Sequence, residues 1–143
     1  MLIEKAKIIN MLPHGNTMCL LDGVLNYDEN TITCISHHWQ QSNNPLLNNH
    51  ETMGVSILAE YGAQAAGIHS AIQQKAAGDI KAAYVGAIKQ FKFYTSTITK
   101  KSTYLKIQAS CHLTNERSAS YDFSVSDENN ILAQGRLLLA LPE

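Results

Sequence analysis

Four side chains in this sequence hold chemical promise, Glu60, Gln64, His14 and His50, of which the carboxyl and the imidazoles can move protons. Glu60 lies inside residues 53–75, a stretch apolar nearly all the way round, and Gln64 follows four residues later on the same helical face. A carboxylate buried with no cation beside it on its helix is costly, because desolvation disfavours its charged form. Two readings follow. Glu60 sits at a helix edge and reaches solvent or a neighbour's backbone, or it is held protonated as an acid that donates. An acid such as Glu60 and a histidine base on opposite sides of a substrate remove a proton at one carbon and protonate a leaving hydroxyl at the next. A helix N-terminus around Gly54 and Val55 would offer backbone N–H groups to a carbonyl oxygen. Those parts suit elimination of water beside an activated carbonyl.

A helix over residues 53–75 must position these groups. Its apolar circumference belongs in the middle of a domain, and Gly54, Gly62, Ala63, Ala66 and Gly67 would let neighbouring backbones come close. Thr52 would cap it. Before it, residues 2–11 predict a short helix ended by Pro13, residues 24–27 and 31–39 predict strands, and an asparagine-rich loop surrounds Pro45. After it, residues 82–93, 103–114, 118–126 and 131–141 all read as strands, with turns at 115–117 and 127–130. One helix among strands predicts an α+β fold, an antiparallel sheet curled around the helix in a single domain over residues 1–143.

At 143 residues and net charge −1, no global field draws the chain to nucleic acid or an anionic membrane. Lys75, Lys81, Lys89, Lys92, Lys100, Lys101 and Lys106 fall in one stretch whose only acid is Asp79, a patch for an acidic partner or simply solvated lysines. Cys19, Cys34 and Cys111 are widely spaced, odd in number and without a C-x-x-C, and suggest no disulfide framework or zinc site. No histidine pair has ligand spacing: His37 and His38 are adjacent in a strand and point to opposite faces. His69, nine residues after Glu60, falls on the other side of the helix, which predicts a surface or interface position. His112 has no chemical partner nearby in sequence. No nucleophile elbow, P-loop or dinucleotide fingerprint is present. No signal peptide or bilayer-length apolar run is read either, so a cytoplasmic protein is expected.

Leu12-Pro13-His14, followed by Met18-Cys19-Leu20-Leu21-Asp22 and Val24-Leu25, resembles the L-P-H-R-x-P-x-L-L-x-D-x-V-L opening of 3-hydroxyacyl-acyl carrier protein (ACP) dehydratases. Residues 59–67, AEYGAQAAG, resemble the E-A-x-A-Q-x-x-G central helix of that family. Residues 83–93 are similar to its following strand, and residues 133–140 to its last. The resemblance covers essentially the whole chain in order. It implies the hotdog fold, no metal or diffusible cofactor, and an acidic ACP that carries the substrate. It also implies a dimer, homomeric or with a second hotdog subunit, whose sites take residues from both protomers. The chain is most similar to the branch associated with aryl-polyene biosynthesis.

One departure matters. Typical members carry G-H-F-P-x-x-P-x-M-P-G before the helix, and that histidine is their base. Counted back from Glu60, its place falls near Asn43 or Asn44. The resemblance leaves three sources for the base: His14 in the L-P-H turn, His50 in the loop, or a histidine of a partner subunit. His14 with Glu60 is the favoured pair, with Gln64 orienting Glu60 and the amide at Gly54 or Val55 holding the thioester oxygen. A hotdog acyl-thioesterase and a non-catalytic subunit of a mixed dimer are the rival expectations.

Overall fold

The computed structural model describes residues 2–9, 20–37, 52–54, 58–76, 84–94, 97–99, 104–115, 117–128 and 130–140. The chain runs β1 (Ile3–Glu4), α1 (Lys5–Ile9), β2 (Gly23–Tyr27), β3 (Thr31–Ser36), β4 (Thr52–Gly54) and α2 (Leu58–Ala76). Five strands follow: β5 (Tyr84–Phe93), β6 (Thr97–Thr99), β7 (Leu105–Thr114), β8 (Ser118–Ser126) and β9 (Ile131–Ala140). Seven strands form one antiparallel sheet in the order β1-β2-β3-β7-β8-β9-β5, and β4 pairs with β6. α2 lies against β3, β7, β8, β9 and β5. This is the hotdog arrangement.

Alternation along the strands explains why the sheet takes the helix on one face. In β8, Ala119, Tyr121, Phe123 and Val125 are buried, while Ser118, Ser120, Asp122, Ser124 and Ser126 point the other way. The helix meets them with Leu58, Ala59, Tyr61, Ala65, Ala66 and Ile68. Contact is closest at Gly62. A Cβ there would lie 2.6 and 2.8 Å from Cγ and Cε2 of Phe123. On its far side the same ring faces Gly135, where a Cβ would meet it at 3.2 Å. Two glycines therefore clamp one aromatic ring between helix and sheet.

The hairpin turns form where the sequence places them. The Asp28 carboxylate accepts the N–H groups of Asn30 and Thr31, the Asn115 side-chain oxygen those of Arg117 and Ser118, and the Asp127 carboxylate that of Asn130.

Two local expectations are corrected. Residues 52–54 do not begin the helix: Thr52, Met53 and Gly54 pair with Thr99, Ile98 and Thr97 as strand β4, and the helix is described from Leu58. Thr52 is thus in a ladder rather than at a cap, and Gly54 offers no helix N-terminus. Residues 53–58 are apolar but for Ser56 and run on into the helix, so periodicity alone does not reveal that Thr52–Gly54 finds partners on Thr97–Thr99. At the other end, Ile3–Glu4 is a strand rather than helix, because Ile3 and Glu4 pair with Val24 and Gly23.

Candidate functional site

Glu60 stands in the first turn of α2 and is partly buried. Gln64 lies one turn on and is 2% exposed. Its Nε2 donates to Glu60 Oε1 at 3.4 Å, and its Oε1 accepts the backbone N–H of Leu20 at 2.9 Å. The amide therefore ties the helix carboxylate to the segment that enters β2. That segment is itself fastened to the sheet, since the Asp22 N–H donates to the Ile35 carbonyl at 2.8 Å and the Asp22 carboxylate accepts the His37 N–H at 2.7 Å.

Of the residues singled out in the sequence, the structure brings Glu60 and Gln64 together. Gly54 is placed at the end of β4. His14, His50 and Val55 lie outside the described residues.

His69 is not at the surface, contrary to the expectation from helical spacing. It is 1% exposed. Its Nε2–H donates to the Asp28 carbonyl at 2.9 Å, and because a carbonyl only accepts, Nδ1 is the ring's acceptor and takes the Tyr121 hydroxyl at 2.6 Å. Burial holds the His69 imidazole below the usual histidine range, and the hydrogen bond to Asp28 opposes that shift. Burial pushes the Tyr121 phenol up, with Cys111 adding in the same direction. Burial likewise pushes the Cys111 thiol up, and its interaction with the Tyr121 hydroxyl opposes that shift. Sequence reasoning missed this chain because Asp28 and Tyr121 lie 41 and 52 residues from His69. The available signal was one imidazole on a helix with almost no polar face.

A groove of about 930 Å³ lies elsewhere, across the sheet face that turns away from α2. Thr31, Thr33, Gln108, Ser110, Asp122, Ser124 and Gln134 line it, and no residue of α2 does. It is a polar sheet surface bordered by the Asp122–Arg136 ion pair, 2.8 Å, and Glu60 does not line it. Among the described residues, no three His, Cys, Asp or Glu side chains gather as a metal site, and no helix is long and apolar enough to cross a membrane.

Comparison with known proteins agrees with this fold. A chain of the dehydratase heterocomplex ApeI:P from Xenorhabdus doucetiae is 25% identical with a TM-score of 0.86, over 95% of this chain and 91% of that one. PaaI of E. coli, from the phenylacetic acid degradation operon, is 16% identical with a TM-score of 0.63 over 84% and 78%. A hypothetical thioesterase protein with coenzyme A from Streptococcus pneumoniae is 9% identical with a TM-score of 0.62 over 83% and 84%. These last two show the shared fold alone. No curated protein matches the chain. Residues 6–143 match the model of the ApeP-like family, described as ApeP dehydratase, and the chain belongs to that family.

Proposed function

We propose that this chain is a cytoplasmic dehydratase that removes water from a 3-hydroxyacyl thioester carried on ACP, of fatty-acid or aryl-polyene type. The base, His14 in the favoured assignment, takes the proton from the carbon beside the thioester carbonyl. The electron pair left there forms the carbon–carbon double bond as the neighbouring C–O bond breaks. Protonated Glu60 gives its proton to the departing hydroxyl, which leaves as water. A backbone N–H at Gly54, the last residue of β4, or at Val55 holds the thioester oxygen while negative charge gathers on it. The observation that carries the reading is a carboxylate held by a buried amide at the start of α2, in a chain of a dehydratase family.

Two features support partners. β5 ends the seven-stranded sheet, and Ile88, Phe93 and Tyr94 are 41%, 48% and 56% exposed along it. An edge strand with an uncovered apolar flank invites a second hotdog subunit, in line with the heterocomplex of the Xenorhabdus protein. Lys89, Lys92 and Lys106 share the outer sheet face with Arg136, which suits an acidic ACP. Lys81, Lys100 and Lys101 lie outside the described residues.

A second reading has one observation behind it. By the family resemblance the place of the G-H-F-P histidine falls near Asn43 or Asn44, which favours a subunit that completes its site with a partner's base; His50 is the third source.

The test is to incubate the purified chain with a 3-hydroxyacyl-ACP and follow the enoyl product by mass, beside Glu60→Gln and His14→Ala. Enoyl product from the wild type and from neither variant supports the proposal. Free acid supports hydrolysis. No turnover alone, restored by a second hotdog subunit, supports the mixed site.

A further inference from the structure

The groove on the sheet face away from α2 follows from strand register. Asn26, Thr33, Gln108, Ser124, Gln134 and Lys92 are successive cross-strand partners on β2, β3, β7, β8, β9 and β5, and all of them line it. They make one row of hydrogen-bonding side chains with a group about every 4.8 Å, the spacing of neighbouring strands. A second row, Thr31, Ser110 and Asp122, runs beside the first.

A bulge stands at each end. β2 shifts register between Val24 and Asn26, and β5 sets Gln90 and Phe91 against Gly135. A side chain on Gly135 would meet the Phe91 Cα at 3.3 Å, so the bulge depends on that glycine. Gln90 has a φ of 55°, a conformation that non-glycine residues rarely adopt. Bulges re-aim side chains, and this one keeps an amide at the rim of the groove where glycine would be less strained.

The row has hydrogen-bonding capacity to spare. Among the described residues, the side chains of Asn26, Thr33, Gln90, Gln108, Ser124 and Gln134 have no hydrogen-bond partner. Thr33 is nonetheless only 8% exposed, on the groove floor. Asp122 receives Arg136 Nε on Oδ1 at 2.8 Å, while Oδ2 has only a 3.5 Å contact with Nη2 and keeps room to accept a hydroxyl.

Lys92 and Asp122 are the charged residues of the lining and they are of opposite sign, so the groove favours no anion. Its floor is too polar for an acyl chain. An uncharged chain that both donates and accepts, repeating at close to the strand spacing, fits both rows. Extended β-1,4-linked sugars have that chemistry and that repeat.

We propose that this groove binds an extended, uncharged oligosaccharide, laid along the Asn26–Lys92 row. The site stands apart from the elimination chemistry, since no residue of α2 lines it.

The experiment titrates the full chain with cellotetraose and with maltotetraose, whose chain coils, by calorimetry and saturation-transfer NMR. Wild type should bind cellotetraose and bind maltotetraose at least roughly 10-fold more weakly, as for hydrogen bonds lost to a mismatched repeat. Gln108→Ala combined with Gln134→Ala should raise the Kd for cellotetraose roughly 10- to 100-fold. Gln90→Gly keeps the backbone conformation without its strain, so it should weaken binding while the urea midpoint holds or rises. Absence of binding to both sugars would overturn the proposal. So would equal binding of the two, or an unchanged Kd in the double variant. Concentration-dependent association in sedimentation that the double variant abolishes, with no sugar bound, would assign the face to a second copy of the chain instead. Should the double variant fail to fold by circular dichroism, Gln90→Gly decides, and an unchanged Kd there overturns the proposal.

Discussion

Helix α2 carries Glu60 in its first turn and His69 nine residues on, and treats the two groups in opposite ways. Glu60 is partly exposed, held by a single long hydrogen bond from Gln64. His69, nine residues on, is 1% exposed and has both ring nitrogens engaged, by Tyr121 at 2.6 Å and by the Asp28 carbonyl at 2.9 Å. The imidazole end has its hydrogen bonds made, so it ties the helix to the β2–β3 hairpin and to β8. The carboxylate end keeps an oxygen for something else. The proposed acid is held from one side and left open on another; the group that holds the fold is closed on both ring nitrogens.

Four substitutions or conditions can break that comparison, taken from the largest effect to the smallest. Glu60→Gln should lower enoyl formation by roughly 100- to 10,000-fold, as for loss of a general acid, while the urea midpoint stays close to wild type. A variant equally impaired in stability would make Glu60 structural instead.

Gly62→Ala tests the packing that joins the two ends. The added methyl meets the Phe123 ring, and the ring cannot retreat because Gly135 and Phe91 back it on the far side. Overpacking should cost about 2–3 kcal/mol in urea unfolding, more than the helix-propensity gain of about 1 kcal/mol from alanine.

His69→Leu takes the acceptor from the Tyr121 hydroxyl and leaves the Asp28 carbonyl with the longer contact from Gln73 Nε2 at 3.4 Å. A loss of about 1–2 kcal/mol is expected, with kcat in the assembled enzyme little changed. A large fall in kcat at unchanged stability would move His69 from scaffold to mechanism.

The smallest effect is on pH. The folded-state pKa of His69 is depressed below its ordinary 6.5, chiefly by burial. Above 6.5 both folded and unfolded histidine are neutral, so the full stability is present. As pH falls below that value, the unfolded chain takes up a proton that the folded one refuses, and stability declines until the folded pKa is passed. The urea midpoint of the wild type should therefore drop between about pH 7.5 and 5.5 by more than that of His69→Gln. Equal drops would mean that the imidazole carries no linkage.

The carboxylate end was legible because its pattern is local: Glu60 and Gln64 are four residues apart on a helix with little else polar. The strand β8 was legible for the same reason, its Ser–Ala–Ser–Tyr–Asp–Phe–Ser–Val–Ser alternation spanning Ser118–Ser126. What the sequence hid is what tertiary register decides. The Leu20 N–H that anchors Gln64 lies 44 residues away, and His69 reads as a surface residue until Asp28 and Tyr121 are brought to it. The three-residue strands β4 and β6 are too short for a periodic signal. Each exists only because the other pairs with it.

The most direct test of the contrast is turnover and unfolding measured together on Glu60→Gln and His69→Gln, in the assembly that converts 3-hydroxyacyl-ACP to enoyl product. The account predicts that Glu60→Gln loses turnover and keeps its urea midpoint, while His69→Gln keeps turnover and loses stability. Turnover retained in Glu60→Gln and abolished in a stably folded His69→Gln would contradict it.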